Sequence, residues 1–219
     1  MHLPERSAGQ VRIGVALQVP APYGTLVQAA RARVGDPLAH AIPPHITLLP
    51  PTVVDREQLP VVVSHLADIA AVHAPFVVSL AGTGTFRPVS PVVFVNVTEG
   101  AERCALLERT VRSGILAQDL RFPYHPHVTI AHDVDETTLD EAARLLAGFE
   151  ATYAQGSMRL YEHGDDGVWR TVARLPLTGT AVAAEATLGT SLVVMVWLTQ
   201  APSCKVSAST ISSRAMFIC

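Results

Sequence analysis

The chain has no long hydrophobic run, no cluster of basic residues and few cysteines, and each shortage removes a class of function. Its longest apolar run near the C-terminus, Leu192 to Leu198, is seven residues, whereas a membrane-spanning helix needs about 20. No membrane partner is expected. The N-terminus carries Glu5 and Arg6 without an apolar stretch, so no secretory signal is read there and the expected location is cytoplasmic. Sixteen Lys and Arg stand against 19 Asp and Glu, for a net charge of −3. Long duplex DNA demands a basic surface and is excluded as a primary partner. A small anionic ligand needs only one or two local positive groups and stays open. The three cysteines, Cys104, Cys204 and Cys219, form no Cys-x-x-Cys, which excludes that kind of zinc site. An odd count without a signal fits reduced thiols.

What is present reads as a folded protein. Hydrophobic residues make up 49% and charged residues 16% of 219, enough for one large domain or two small lobes around a real core. Val11, Ile13, Val15, Leu17 and Val19 alternate with smaller or polar neighbours, the pattern of a strand with one buried face. Leu26, Val27, Ala30 and Val34 then recur at helical spacing, and Gly35-Asp36-Pro37 stops that helix. A short strand flanked by Pro43, Pro44, Pro50 and Pro51 follows. Asp55 to Ala71 predicts a helix with Pro60 in its first turn. Phe76 to Leu80 and Val92 to Val97 predict two strands, and Glu102 to Ile115 a helix packing Leu106, Leu107 and Val111. Thr138 and Glu141 resemble a capping box before a helix bearing Leu139, Ala142, Ala143 and Leu146. Met158 to Glu162 and Val168 to Leu175 predict two final strands joined by Gly164-Asp165-Asp166-Gly167.

The second half loosely repeats the first. The expectation is an α+β domain over 1–179, with similar halves at about 11–98 and 99–177. These form two pseudo-symmetric lobes, each an antiparallel sheet with packed helices, facing across a central cleft. From Thr180 the periodicity fades into Ala, Ser and Thr, so 180–219 is expected to be a disordered or weakly attached tail. A monomer is expected.

Two stretches stand out because they are nearly one stretch written twice. Pro44-His45-Ile46-Thr47-Leu48 and Pro126-His127-Val128-Thr129-Ile130 match in register, with the histidines 127 − 45 = 82 positions apart. In a strand, His and Thr share one face while the apolar residues anchor the other. Two such strands facing each other gather two imidazoles and two hydroxyls. One neutral imidazole can take a proton from water or a hydroxyl while a protonated one supplies the leaving oxygen. The hydroxyls can donate to the non-bridging oxygens of a phosphodiester. No metal or other cofactor is required by this scheme.

Paired His-x-Thr motifs at this separation in a duplicated α+β chain resemble the 2H phosphoesterase superfamily, within it the 2′-5′ RNA ligase-like (LigT-like) proteins and RNA cyclic phosphodiesterases. The likeness extends in element order over about Val11 to Leu177, and only the two motifs are specific. It implies that His45 and His127 are the catalytic pair and that Thr47 and Thr129 hold the phosphate. It also implies metal-independent hydrolysis of 2′,3′-cyclic phosphates or 2′-5′ phosphodiesters at RNA ends or in small nucleotides. Which histidine is acid depends on substrate orientation; the assignment taken here is His127 as base and His45 as acid. Members often carry Arg or Lys near the second motif, where this chain has His132. That departure leaves open how the phosphate charge is balanced.

Tyr124, Phe86 and Arg87 are further candidates for stacking a base or contacting phosphate. Two other functions compete. The cleft could bind an RNA end or nucleotide without turning it over. Alternatively His45, His125 and His127 could hold a metal with Asp133 as base, although the first copy has Pro43 where the second has His125.

Overall fold

The computed structural model describes residues 3–180. The tail expected at 180–219 lies outside the described residues apart from Thr180. Eight strands and four α-helices follow in the order β1 (Gln10–Gln18), α1 (Tyr23–Arg33), β2 (His45–Asp55), α2 (Leu59–Val72), β3 (Phe76–Thr85), β4 (Val92–Glu99), α3 (Ala101–Val111), β5 (His127–His132), α4 (Glu136–Leu145), β6 (Glu150–Gln155), β7 (Ser157–His163) and β8 (Trp169–Pro176). The α+β class is as expected. All eight strands join one sheet in the order β6-β3-β4-β5-β2-β1-β7-β8, and every neighbouring pair is antiparallel.

The alternation in β1 does what period two requires. Val11, Ile13, Val15 and Leu17 are at most 1% exposed and join the main core. Helices cover that face, with α2 against β7 and β8, α3 against β2, and α4 against β3, β4 and β5. Ala16 points to the other face, where it meets Tyr161 and Trp169. The sheet therefore has a helix-covered face and a working face.

Several local expectations are corrected. β2 is not short: it runs through Pro50 and Pro51 to Asp55. The ladder to β1 is irregular there, passing from Val15↔Leu49 to Ile13↔Thr52, so neither proline has to supply an N–H. In α1, Leu26 faces solvent, while Arg31 is buried together with Val27 and Ala30. Leu106 of α3 is likewise exposed, and Cys104, Leu107 and Val111 are buried. The cap of α4 is Asp135, whose carboxylate accepts from the Thr138 N–H at 2.9 Å, so Thr138 lies inside the first turn. Strand β6 is additional to the expected elements. Pro60 does sit at the start of α2, where its missing N–H costs nothing.

Candidate active site

The two repeated motifs meet at a single residue pair. Ile46 of β2 lies opposite Val128 of β5, and both side chains are fully buried. Continuing that antiparallel register by one residue sets His45 across from Thr129 and Thr47 across from His127, all on the working face. The imidazoles occupy one diagonal and the hydroxyls the other. The flanking strands continue the symmetry, with Gln18 of β1 beside His45 and Asn96 of β4 beside His127. His45, Thr47, His127 and Thr129 all line one cavity of about 380 Å³.

Both rings are held in the same way. His45 Nδ1 lies 2.8 Å from the Pro43 carbonyl and His127 Nδ1 lies 2.7 Å from the His125 carbonyl. A carbonyl only accepts, so each Nδ1 carries the hydrogen and each Nε2 is left as the titrating atom. Among the described residues neither threonine hydroxyl has a protein partner. Two basic nitrogens and two uncommitted donors therefore converge from symmetric frames.

Their electrostatics differ. Burial pushes His45 down to about 4, with the Pro43 carbonyl opposing it and the charges of Arg31 and His127 adding to it. Burial also lowers His127, opposed by the His125 carbonyl and assisted by the charge of His125. An aromatic wall surrounds the second ring. Phe86 stands edge-on to it at 4.9 Å between centroids, and Phe94 packs on Phe86 at 4.4 Å.

The remaining sequence-derived candidates are placed as follows. Phe86 lines the cavity; Tyr124 and Arg87 are not among its lining residues. The Tyr124 hydroxyl donates to the Thr47 carbonyl at 2.9 Å, and burial pushes its ionisation up. Arg87 is engaged by Glu136 at 2.6 Å and Asp140 at 2.8 Å, which ties the β3–β4 connection to α4. His125 lies before the strand begins and is exposed. Among the described residues no group of three or more His, Cys, Asp or Glu has the arrangement of a metal site, so the three-histidine alternative lacks a ligand set.

Sequence reasoning missed the buried polar cluster of Arg31, Asp36 and His132, which reaches the cavity. Arg31, His132 and Asp133 line it. Arg31 Nε donates to Asp36 Oδ2 at 2.7 Å, and His132 Nδ1 lies 2.9 Å from Asp36 Oδ1. Burial works against the Asp36 charge, but His132 and Arg31 prevail and hold its carboxyl below the usual range. The only trace in the sequence is the place of Arg31, four residues after Val27 on an inward stripe. His132, which stands where superfamily members often carry Arg or Lys, has Asp36 as its partner.

Comparison with known proteins identifies the family and the fold. The profile of the 2′-5′ RNA ligase superfamily matches residues 19–167. The chain belongs to that superfamily. A Bacillus cytotoxicus protein named as a phosphoesterase is 34% identical over 101 residues, which is 46% of this chain and 58% of the relative. A Bacillus thuringiensis protein of the same name is 33% identical over the same shares. The matched stretch thus spans less than two thirds of these relatives. Among solved structures, E. coli LigT complexed with 3′-AMP superposes with a TM-score of 0.60 at 21% identity, covering 77% of this chain and 99% of LigT. LigT complexed with phosphate gives 0.57 at 22%, covering 78% and 99%. This superfamily member therefore has the LigT fold over nearly all of LigT's length.

Proposed function

We propose that the protein is a metal-independent phosphodiesterase that opens 2′,3′-cyclic phosphates or cleaves 2′-5′ phosphodiesters at RNA ends or in small nucleotides. The observation that carries this reading is the diagonal pair of imidazoles, each with Nε2 free and each opposite a threonine hydroxyl of the other motif. Membership of the 2′-5′ RNA ligase superfamily supports it, as does the fold shared with a nucleotide-binding LigT.

In this scheme His45 is the base and His127 the acid, the reverse of the assignment made from sequence. The deeper depression of His45, caused first by burial with the Arg31 charge adding to it, favours its neutral form. His45 Nε2 takes a proton from water as the water oxygen attacks phosphorus. His127 Nε2 gives a proton to the departing ribose oxygen, so the proton count balances. Thr47 and Thr129 donate to the non-bridging oxygens, where charge grows in the transition state. Tyr124 supports Thr47 through its carbonyl, and Arg87 holds the segment bearing Phe86. The site takes a short end or mononucleotide rather than long duplex DNA, and works in a cytoplasmic monomer.

The test is turnover of nucleoside 2′,3′-cyclic phosphates with and without EDTA, beside His45→Ala and His127→Ala. Turnover that survives chelation and collapses in both variants is expected. Binding without turnover would identify an end-binding protein instead, and loss on chelation a metal-dependent hydrolase.

A further inference from the structure

The carbonyl that fixes His45 belongs to a loop, and a loop carbonyl fixes a ring only if the loop itself is held. Residues 34–44 connect α1 to β2 without regular structure of their own. Arg31 reaches into this loop from α1 with all three guanidinium nitrogens. Nη2 donates to the Leu38 carbonyl and Nη1 to the Ile42 carbonyl, each at 2.8 Å, while Nε holds Asp36 at 2.7 Å. Asp36 in turn accepts from the Leu38 N–H at 3.2 Å and sits against His132 of β5. The side chains of Arg31 and Asp36 are 4% and 0% exposed. Ile42 is the residue before Pro43, whose carbonyl accepts from His45 Nδ1.

We infer that Arg31 is the positioning residue for His45: by holding the Ile42 carbonyl it fixes the adjacent Pro43 carbonyl, and so dictates which nitrogen of His45 faces the cavity. Three bonds from one planar fork match carbonyls and a carboxylate that an ammonium could not span together. The second motif has a different tether in the same role. Tyr124 lies next to His125 in sequence, and its hydroxyl is fastened to the Thr47 carbonyl of β2. Each histidine thus has its own carbonyl, and each carbonyl its own anchor.

Crossed variants test this by a readout that general loosening would not produce. Long-range proton–nitrogen spectra of the full chain, labelled with nitrogen-15 in histidine, report the neutral tautomer of each ring. In the wild type both His45 and His127 are expected as the Nδ1–H form alone. Arg31→Met should convert His45 to a mixture rich in the Nε2–H form and leave His127 unchanged. Tyr124→Phe should do the reverse. Should Arg31→Met fail to fold, Arg31→Lys keeps a charge beside Asp36 but loses the fork, and should give the same His45 mixture. His45 remaining wholly Nδ1–H in a folded Arg31 variant, or both rings changing together, would overturn the assignment. In the cyclic phosphate assay Arg31→Lys should lower kcat about tenfold, with KM within about twofold. That second arm rests on the phosphodiesterase reading. A chain with no turnover would sink that reading and leave the tautomer result standing.

Discussion

His45 and His127 share a frame and differ in surroundings, and the difference sets the pH at which they can cooperate. In the proposed scheme the base must be neutral, which His45 is above about 4. The acid must be protonated, and His127 is lowered from 6.5. The kcat/KM profile of the free enzyme should therefore be a bell with its maximum between about pH 4 and 6.5, on the acid side of neutrality. A flat response from pH 5 to 8 or a maximum near 8 would contradict the pairing. The same burial has a cost in stability. A depressed histidine makes the unfolded chain bind more protons, so stability is full above 6.5 and is lost as pH falls towards 4. The gap from 6.5 to about 4 corresponds to at most about 3 kcal/mol. Denaturant unfolding of the wild type and His45→Gln at several pH values should show a shallower acid loss in the variant.

At the scale of elements, the site depends on one contact between two strands. Ile46 and Val128 are the point where β2 and β5 pair, and the order of the four site residues follows from that register. Ile46→Ala should destabilise by about 2–5 kcal/mol, measured by denaturant unfolding. Turnover should also fall well below the loss seen for a buried change such as Leu66→Ala, far from the seam. The two motifs were legible in the sequence because period two forces His and Thr onto one face. Other features were hidden for identifiable reasons. Arg31 occupies a core position that an apolar count cannot credit to a charge. Strand β6 alternates in structure, with Ala151, Tyr153 and Gln155 inward, but alanine on both faces and an inward glutamine mask the alternation. The α4 cap lies three residues earlier than the Thr138 signal because the Asp135 carboxylate accepts from both the N–H and the hydroxyl of Thr138, which places Thr138 inside the first turn.

Over the whole molecule, strands distant in sequence become neighbours. On one side of the β2–β5 seam stand β1, β7 and β8, and on the other β4, β3 and β6. Hydrophobic periodicity carries no information about such neighbours, which is why most strands other than β6 could be read from sequence and strand order could not. All four proposed site residues precede residue 130, and the last of the described strands closes at Pro176. A chain of residues 1–180 is therefore expected to keep the Tm and the turnover of the full chain; a large loss of either would assign the remainder a structural part. The central claim is that two imidazoles act on one phosphorus as a unit. Its most direct test is hydrolysis of a nucleoside 2′,3′-cyclic phosphate by the wild type, His45→Ala, His127→Ala and the double variant, all in EDTA. Each single change should cost about 10²–10⁴ in rate, and the double change little more than the worse single one. A single variant that turns over at the wild-type rate would contradict the account.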